Sequence, residues 1–354
     1  MSASPQVSLP PISQPKGAAP AQKPAHLPGT KGDPQKKSLF SAAEEVINYT
    51  PAIGTEIVGL QLKDLNEQQL EDLALLIAER GVVFFRDQDL TVQQQRELGA
   101  KWGRLNNRTP HPVEGTREVQ TFRTDENSKQ APDYWHQDHS ADEEPATITF
   151  LVVREVPKDG GGDTLWSSLY SAYDKLSPAF RAKLEGLETL QEGAYYPTDA
   201  SYVPARGIQP LIRTHPVTGW KILYVNQAWV KQIKGFTRAE SDLLLKYLND
   251  HVARGVEFQV RFKWTKNSVA LWDNRSTQHT ATWDFFPETR WGTRVVVHGD
   301  KSFFDPASKS RNEALGIPDT PSWRADVANS LEDIAGRNSW GIKFTGDKKG
   351  PFKL

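Results

Sequence analysis

Glu257-Phe258-Gln259-Val260-Arg261-Phe262-Lys263-Trp264, Ser268-Val269-Ala270-Leu271-Trp272 and Thr293-Arg294-Val295-Val296-Val297-His298 follow one another near the end of the chain. Each is rich in the β-branched and aromatic side chains that fit a pleated, buried surface. With Lys221–Val225 ahead of them, they predict a last third made mostly of strands. Working backwards, Ala146–Val153 is β-branched in its middle and reads as a core strand. Val82-Val83-Phe84-Phe85 reads as a buried strand behind a helix that carries Leu70, Leu73, Leu76 and Ile77 and stops at Gly81. Thr91 with Gln94 resembles a capping box for a helix running towards Trp102, and Ser177 before Pro178 opens a short one. Thr237 and Glu240 form another capping box ahead of Leu243, Leu244, Leu245 and Leu248. Strands separated by turns, with a few helices between, predict a mainly β fold with flanking helices: a double-stranded β-helix, or jelly roll, of cupin-like build.

Composition narrows the chemistry. The 354 residues carry a net charge of −1 with 25% charged side chains, which points neither to nucleic acid nor to an anionic membrane surface. No apolar run approaches the ~18 residues of a membrane span, and the N-terminus has no signal-peptide core. With no cysteine, disulfides, thiolate nucleophiles and Cys-ligated metals are excluded, so a metal must rest on carboxylates and the eight histidines. Residues 1–39, rich in Pro, Ala, Gln and Lys, read as a disordered tail. The absence of acids before Asp33 leaves a mitochondrial presequence open, while the lack of Arg and of an amphipathic stripe favours a cytoplasmic protein. Residues 40–304 read as one domain. Residues 305–354 read as a polar extension that Trp323, Trp340 and Phe344 pin onto it. Glu192–Arg206, with Tyr195, Tyr196 and Tyr202, reads as a lid or, more simply, a solvated loop. Oligomeric state stays open, a homo-oligomer included.

The candidate site is split between Tyr134-Trp135-His136-Gln137-Asp138 and a segment running from His279 to Arg290 and Arg294. His-x-Asp occurs twice, but His298-Gly299-Asp300 holds the last His of the chain, so no distal imidazole follows it. On an extended segment His136 and Asp138 share a face and Gln137 points away. His279 would complete a 2-His-1-carboxylate set that leaves three positions for a bidentate 2-oxo acid and O₂. A tetrahedral zinc hydrolase can use the same three residues. Arg290 and Arg294 have the same parity, so both can reach one barrel mouth, where guanidinium forks pair with carboxylates or sulfonates.

Several motifs in order along the chain carry a resemblance: His136-x-Asp138, Gly161-Gly162-Asp163-Thr164-Leu165-Trp166, Thr214-His215-Pro216 with Leu223-Tyr224-Val225-Asn226, and Trp272-Asp273-Asn274-Arg275-x-Thr277-Gln278-His279. With Phe84-Phe85-Arg86-Asp87-Gln88 and the spaced arginines, they resemble the taurine dioxygenase family of iron(II)/2-oxoglutarate oxygenases from about Thr55 to Phe304. The Pro-rich N-terminus and the Asp305–Ala314 extension look most like fungal sulfonate dioxygenases. The resemblance implies His136, Asp138 and His279 as ligands of Fe(II), Thr164 and Arg290 on the distal carboxylate of 2-oxoglutarate, and Arg294 on the substrate's anionic group. It gives His215 a structural part; Tyr224 and Trp272 read as lining the pocket, although aromatic residues at such sites are more often core. One loop departs from the family: Leu105-Asn106-Asn107-Arg108-Thr109-Pro110-His111 is one residue shorter, so Arg108 or His111 would stand in for a missing substrate-binding pair. Pro132 also replaces an expected Asn.

The expectation is therefore a dioxygenase using Fe(II), 2-oxoglutarate and O₂ to hydroxylate a small anionic substrate, an organosulfonate with release of sulfite. The loop argues against taurine itself and leaves a sulfate ester or an aryloxy or aliphatic carboxylate open. A zinc or manganese cupin-type hydrolase and an inactive binding module are the rivals from other classes.

Overall fold

The computed structural model describes residues 27–127, 132–193 and 204–318. Its largest sheet has eight strands. Along it lie Glu45–Asn48, Thr55–Val58, Val82–Phe85, Ser268–Asp273, Ala146–Glu155, Arg290–His298 and Arg104–Leu105, and Val119–Thr124 also pairs with Arg290–His298. A second sheet faces it, with Thr164–Ser168 between Gln259–Phe262 and Thr277–Ala281, all antiparallel. The result is a jelly roll, and its interior is one apolar cluster fed by both sheets: Val82, Phe84, Leu151, Val153 and Trp272 from the large one, Trp166, Val260 and Phe262 from the small one.

The intervening residues of the same strands are also buried. Val83, Phe85, Phe150, Val152, Val269, Leu271 and Val295 pack outwards against Leu70, Leu73 and Ile77 of the helix Glu67–Arg80 and Leu98 of the helix Val92–Lys101. A sheet covered on both faces needs apolar residues at every position, which is why these strands read as continuous runs rather than alternations. The capping boxes at Thr91/Gln94 and Thr237/Glu240 form as the sequence predicts, as does the cap of Ser177 on Pro178–Leu184. On Arg238–Ala253 the buried side is Ser241, Leu245, Leu248 and Val252, while Leu243 is exposed.

Three expectations change. Glu257 does not start a strand, because Val256–Phe258 is a 3₁₀ turn and the strand is Gln259–Phe262. The last strand begins at Arg290 rather than Thr293. Residues 27–39, read from composition as tail, are packed on the domain. Gly29 and Asp33 donate their N–H groups to Glu71 and Asp72, and Leu39, wholly buried, donates to Asp72. Short polar segments gain order when a neighbouring helix offers carboxylate acceptors, which composition does not reveal. At the other end, Asp305 donates to Thr214, and the helix Arg311–Leu315 docks through Asn312 on Asp174. Trp323, Trp340, Phe344 and the lid tyrosines lie outside the described residues. No helix among the described residues is long and apolar enough to cross a membrane.

Candidate metal centre and its two arginines

His136 and His279 meet as an isolated antiparallel bridge at the edge of the small sheet: His136 N–H donates to the His279 carbonyl (3.0 Å) and His279 N–H to the His136 carbonyl (2.8 Å). The bridge brings the two rings to a centroid separation of 4.2 Å. Two residues on, Asp138 turns to the same side, with Oδ1 3.8 Å from His136 Nε2. Gln137 points the other way and donates to the Asn274 carbonyl at 2.6 Å. One donor atom from each of His136, Asp138 and His279 lies within 4.8 Å of the others. His136 Nδ1 faces the Tyr134 carbonyl at 2.9 Å, an acceptor only, so that nitrogen bears the proton and Nε2 keeps its lone pair. Among the described residues His279 Nδ1 is buried without a hydrogen-bond partner. Burial pushes both imidazoles below their ordinary value, and in His279 the neighbouring His136 adds to the effect. Burial is the largest single influence on the Asp138 carboxyl and would raise it, but the Arg294 guanidinium and the imidazoles of His279, His136 and His139 together outweigh it and hold it well below the carboxylate range. Two neutral imidazoles and one ionised carboxylate are the protonation states that metal binding requires, so the set fits a divalent ion.

Asn274 fixes the carboxylate. Its Oδ1 accepts from Asp138 N–H (3.2 Å) and Trp272 Nε1 (3.1 Å), and its Nδ2 donates to Thr149 Oγ1 (2.7 Å). Thr149 Oγ1 in turn donates to Asp138 Oδ2 at 2.9 Å. Oδ2 is thereby engaged and Oδ1 is turned towards His136. Neither Asn274 nor Thr149 announces this role locally, since the contact depends on strand register. Partners behind a ligand typically tune metal affinity ~10–100-fold. Asn274→Ala is expected to weaken Fe(II) or Mn(II) binding by about that factor in a metal titration, and unchanged affinity would remove the role.

Arg290 is buried and reaches Thr164: its Nη2 donates to Thr164 Oγ1 at 3.3 Å, and Trp264 Nε1 donates to the same oxygen at 3.0 Å. The hydroxyl accepts twice, so its own proton is available to a further acceptor. The guanidinium lies between the rings of Trp264 (5.4 Å) and Phe122 (5.5 Å), and its Nε is buried without a partner among the described residues. Burial lowers its pKa to about 10, so it remains a cation at neutral pH. Its nearest acid, Asp163, is paired with Arg261 at 2.7 Å. Gly162 makes room for the stem, since a Cβ there would stand 2.6 Å from Arg290 Cδ, and its φ of +69° also favours glycine. An unpaired buried cation in an aromatic cage is costly unless an anion completes it.

Arg294 projects from the same face of the same strand, as the parity predicts. Its Nη1 donates to Asp138 Oδ1 at 2.9 Å, while Nε (3.2 Å) and Nη2 (2.7 Å) both donate to Gln120 Oε1. Trp272 lies beside the centre, its ring 4.8 Å from that of His279.

Other candidates fall elsewhere. Arg108 and His111 are exposed, and among the described residues no hydrogen bond or ion pair joins either side chain to the three ligands. At His111 the backbone is left-handed, with φ +52°, and its carbonyl accepts from Thr121 N–H at 2.9 Å. Tyr224 is a core residue rather than a pocket residue: it is wholly buried in the cluster beneath Leu169–Asp174, with Arg213 5.1 Å over its ring. His251 Nε2 lies 2.8 Å from the Ala172 carbonyl. His139 joins Asp142 and His298 in a second cluster. Asn106 Oδ1 accepts from Arg108 N–H, so Asn106 Nδ2 donates to His139 Nε2 at 3.2 Å. His298 Nδ1 faces the Glu144 carbonyl at 2.9 Å. These bonds engage one nitrogen of each ring within the protein and clamp the Asn106 loop to the residue after Asp138.

His215 is structural, as the motif implies. Its Nδ1 accepts from Val217 and Thr218 N–H, so Nε2–H donates to Asp273 Oδ2 at 3.0 Å. Burial, then Arg275, lowers its pKa to about 4 from 6.5. The unfolded chain therefore takes up a proton first, and this stability is complete above 6.5 and lost as pH falls towards 4. The slope from one such group is at most about 1.4 kcal/mol per pH unit. His298, which burial also lowers to about 4, adds to it. Denaturation midpoints between those pH values should fall with pH, with a shallower slope in His215→Gln; an unchanged slope in the variant would exclude His215 as a source.

Fold and site together define a jelly-roll protein with a 2-His-1-carboxylate cluster and a caged arginine beside it. Residues 45–296 match the family model described as taurine catabolism dioxygenase TauD, TfdA family, and the chain belongs to that family: it is a 2-oxoglutarate-dependent dioxygenase. It is 38% identical over 304 residues to a Schizosaccharomyces pombe protein provisionally named an alpha-ketoglutarate-dependent sulfonate dioxygenase, covering 81% of this chain and 78% of that one. It is 34% identical over 305 residues to a Saccharomyces cerevisiae protein named an alpha-ketoglutarate-dependent sulfonate dioxygenase, covering 79% and 74%. Among solved structures it resembles a taurine dioxygenase from Burkholderia xenovorans, with TM-score 0.65 and 34% identity over 75% of this chain and 94% of that one.

Proposed function

We propose that the chain oxidises a small organosulfonate, with Fe(II) held by His136, Asp138 and His279, 2-oxoglutarate held at its distal carboxylate by Arg290 and Thr164, and the sulfonate held by Arg294. The buried Arg290, cationic and short of an anion in its aromatic cage, is the observation that carries this reading, because a metallohydrolase has no use for it. The names of the fungal relatives support the sulfonate.

Bound iron with 2-oxoglutarate and O₂ supplies the oxidising chemistry, in which 2-oxoglutarate gives succinate and CO₂ and a substrate C–H bond becomes C–OH. The protein's own residues bind and orient. Arg290 and the free Thr164 proton grip one end of the 2-oxo acid, so that its other end faces His136 and Asp138. Trp166, Phe262, Trp264 and Trp272 keep water from the interior behind it. Arg294 fixes the sulfonate next to Asp138 and thereby sets which carbon is presented. Hydroxylation at the carbon bearing the sulfonate leaves an adduct that separates into an aldehyde and sulfite.

The test is succinate release with Fe(II) and 2-oxoglutarate against a panel of taurine, isethionate, C3–C8 alkanesulfonates, hexyl sulfate, hexanoate and phenoxyacetate. Sulfite and aldehyde from a sulfonate are the expected products. Sulfate from hexyl sulfate, or turnover of a carboxylate alone, would replace the sulfonate. Activity with zinc and without O₂ would end the oxygenase mechanism.

A further inference from the structure

We infer that Gln120 sets the charge with which Arg294 meets its anion, and so determines that the site accepts a monoanionic group. The inference rests on the proposed role of Arg294. Gln120 stands directly opposite Arg294 in the pairing of Val119–Thr124 with Arg290–His298, and its side chain is buried. A single amide oxygen accepts from both Nε and Nη2, at 3.2 and 2.7 Å. That fork is the edge a carboxylate would otherwise take as a bidentate pair. A neutral oxygen there holds the plane of the guanidinium without cancelling its charge. The other end of the group, Nη1, stays towards Asp138.

Charge arithmetic explains why the neutral residue matters. A divalent ion, Asp138, a doubly charged 2-oxo acid, Arg290 and Arg294 sum to about one positive charge at a site whose Asp138, Gln120 and Arg290 are buried. A monoanion neutralises it. A glutamate at position 120 would remove that surplus before the substrate arrives. Backbone pairing reinforces the placement: Pro112 also bridges to Gln120, tying the Leu105–His111 loop to the same residue. Gln120 is thus a positioning residue, acting on the substrate through Arg294.

Gln120→Glu separates this from a merely structural part, because it preserves shape and gives Arg294 a stronger partner. The structural reading predicts an intact or improved site. The electrostatic reading predicts loss of anion affinity with the fold unharmed. With whichever anion of the panel is turned over fastest, KM for that anion should rise on the order of 10²-fold in Gln120→Glu, from one added charge several ångströms away. KM for 2-oxoglutarate should stay within about twofold, and the Tm of the metal-free protein should be equal or higher. Gln120→Leu should have a smaller effect on KM for the anion and should raise the fraction of 2-oxoglutarate consumed without substrate oxidation, because Arg294 is then unsteadied but still charged. An unchanged KM for the anion in Gln120→Glu overturns the inference, as does an equal rise in both KM values. Arg294→Met is run alongside: if it too leaves the anion's KM unchanged, the failure lies in the role given to Arg294.

Discussion

Replacing Asp138 with alanine should bring succinate release down to that of a protein-free control and abolish retention of iron through gel filtration. The substitution removes one of the three proposed ligands and, with it, the acceptor of Thr149 and the partner of Arg294. What remains at that spot is a cation beside two neutral imidazoles, a worse place for a divalent ion than water. Asp138→Asn should keep the Thr149 hydrogen bond and the shape yet still fail to hold iron, because the charge is gone. Near-normal turnover in Asp138→Ala would show that the metal, if any, is held elsewhere.

Arg290→Met should move affinity and stability in opposite directions. Hydrogen bonds to a charged group contribute about 1.5–3 kcal/mol each. Losing a bidentate pair from the 2-oxo acid therefore costs about 3 kcal/mol or more, roughly a 10²-fold rise in KM for 2-oxoglutarate. Because that grip is the same before and during reaction, kcat at saturating 2-oxoglutarate should change much less. In the metal-free and cosubstrate-free protein, the variant exchanges a buried cation with an unpartnered Nε for a thioether among Trp264 and Phe122. Replacing buried charges with apolar groups is commonly neutral or stabilising. The Tm should accordingly hold or rise. An unchanged KM would separate Arg290 from the cosubstrate.

What the sequence revealed follows from the range of the interactions involved. His136 and Asp138 sit two apart on one extended segment, and Arg290 and Arg294 four apart on one strand, so parity suffices to place each pair on a common face. The capping boxes at Thr91 and Thr237 are equally local. Strands such as Ala146–Glu155 declare themselves because both faces are covered. Gln120 is different. Nothing in Val119–Thr124 tells which of its residues will stand opposite Arg294, because that depends on the register of two strands far apart in the chain. Asn274 and Thr149 are hidden for the same reason. Tyr224 reads as a pocket residue from its place beside the motif, but it follows the short strand Lys221–Leu223, whose surroundings no periodicity defines. Residues 27–39 look like tail by composition, and the carboxylates that fasten them, Glu71 and Asp72, belong to a helix further along.

The reciprocal backbone bonds between His136 and His279 have a bearing on assembly. The two segments they join are 143 residues apart (279 − 136), and each supplies at least one ligand to the same cluster. A nascent or partly refolded chain that has formed only its first half owns one imidazole and one carboxylate, too few to hold iron firmly. The complete ligand set exists only once these two distant segments have met. On the proposed ligand set, iron uptake during refolding should therefore lag secondary structure and mark the moment at which the two segments meet.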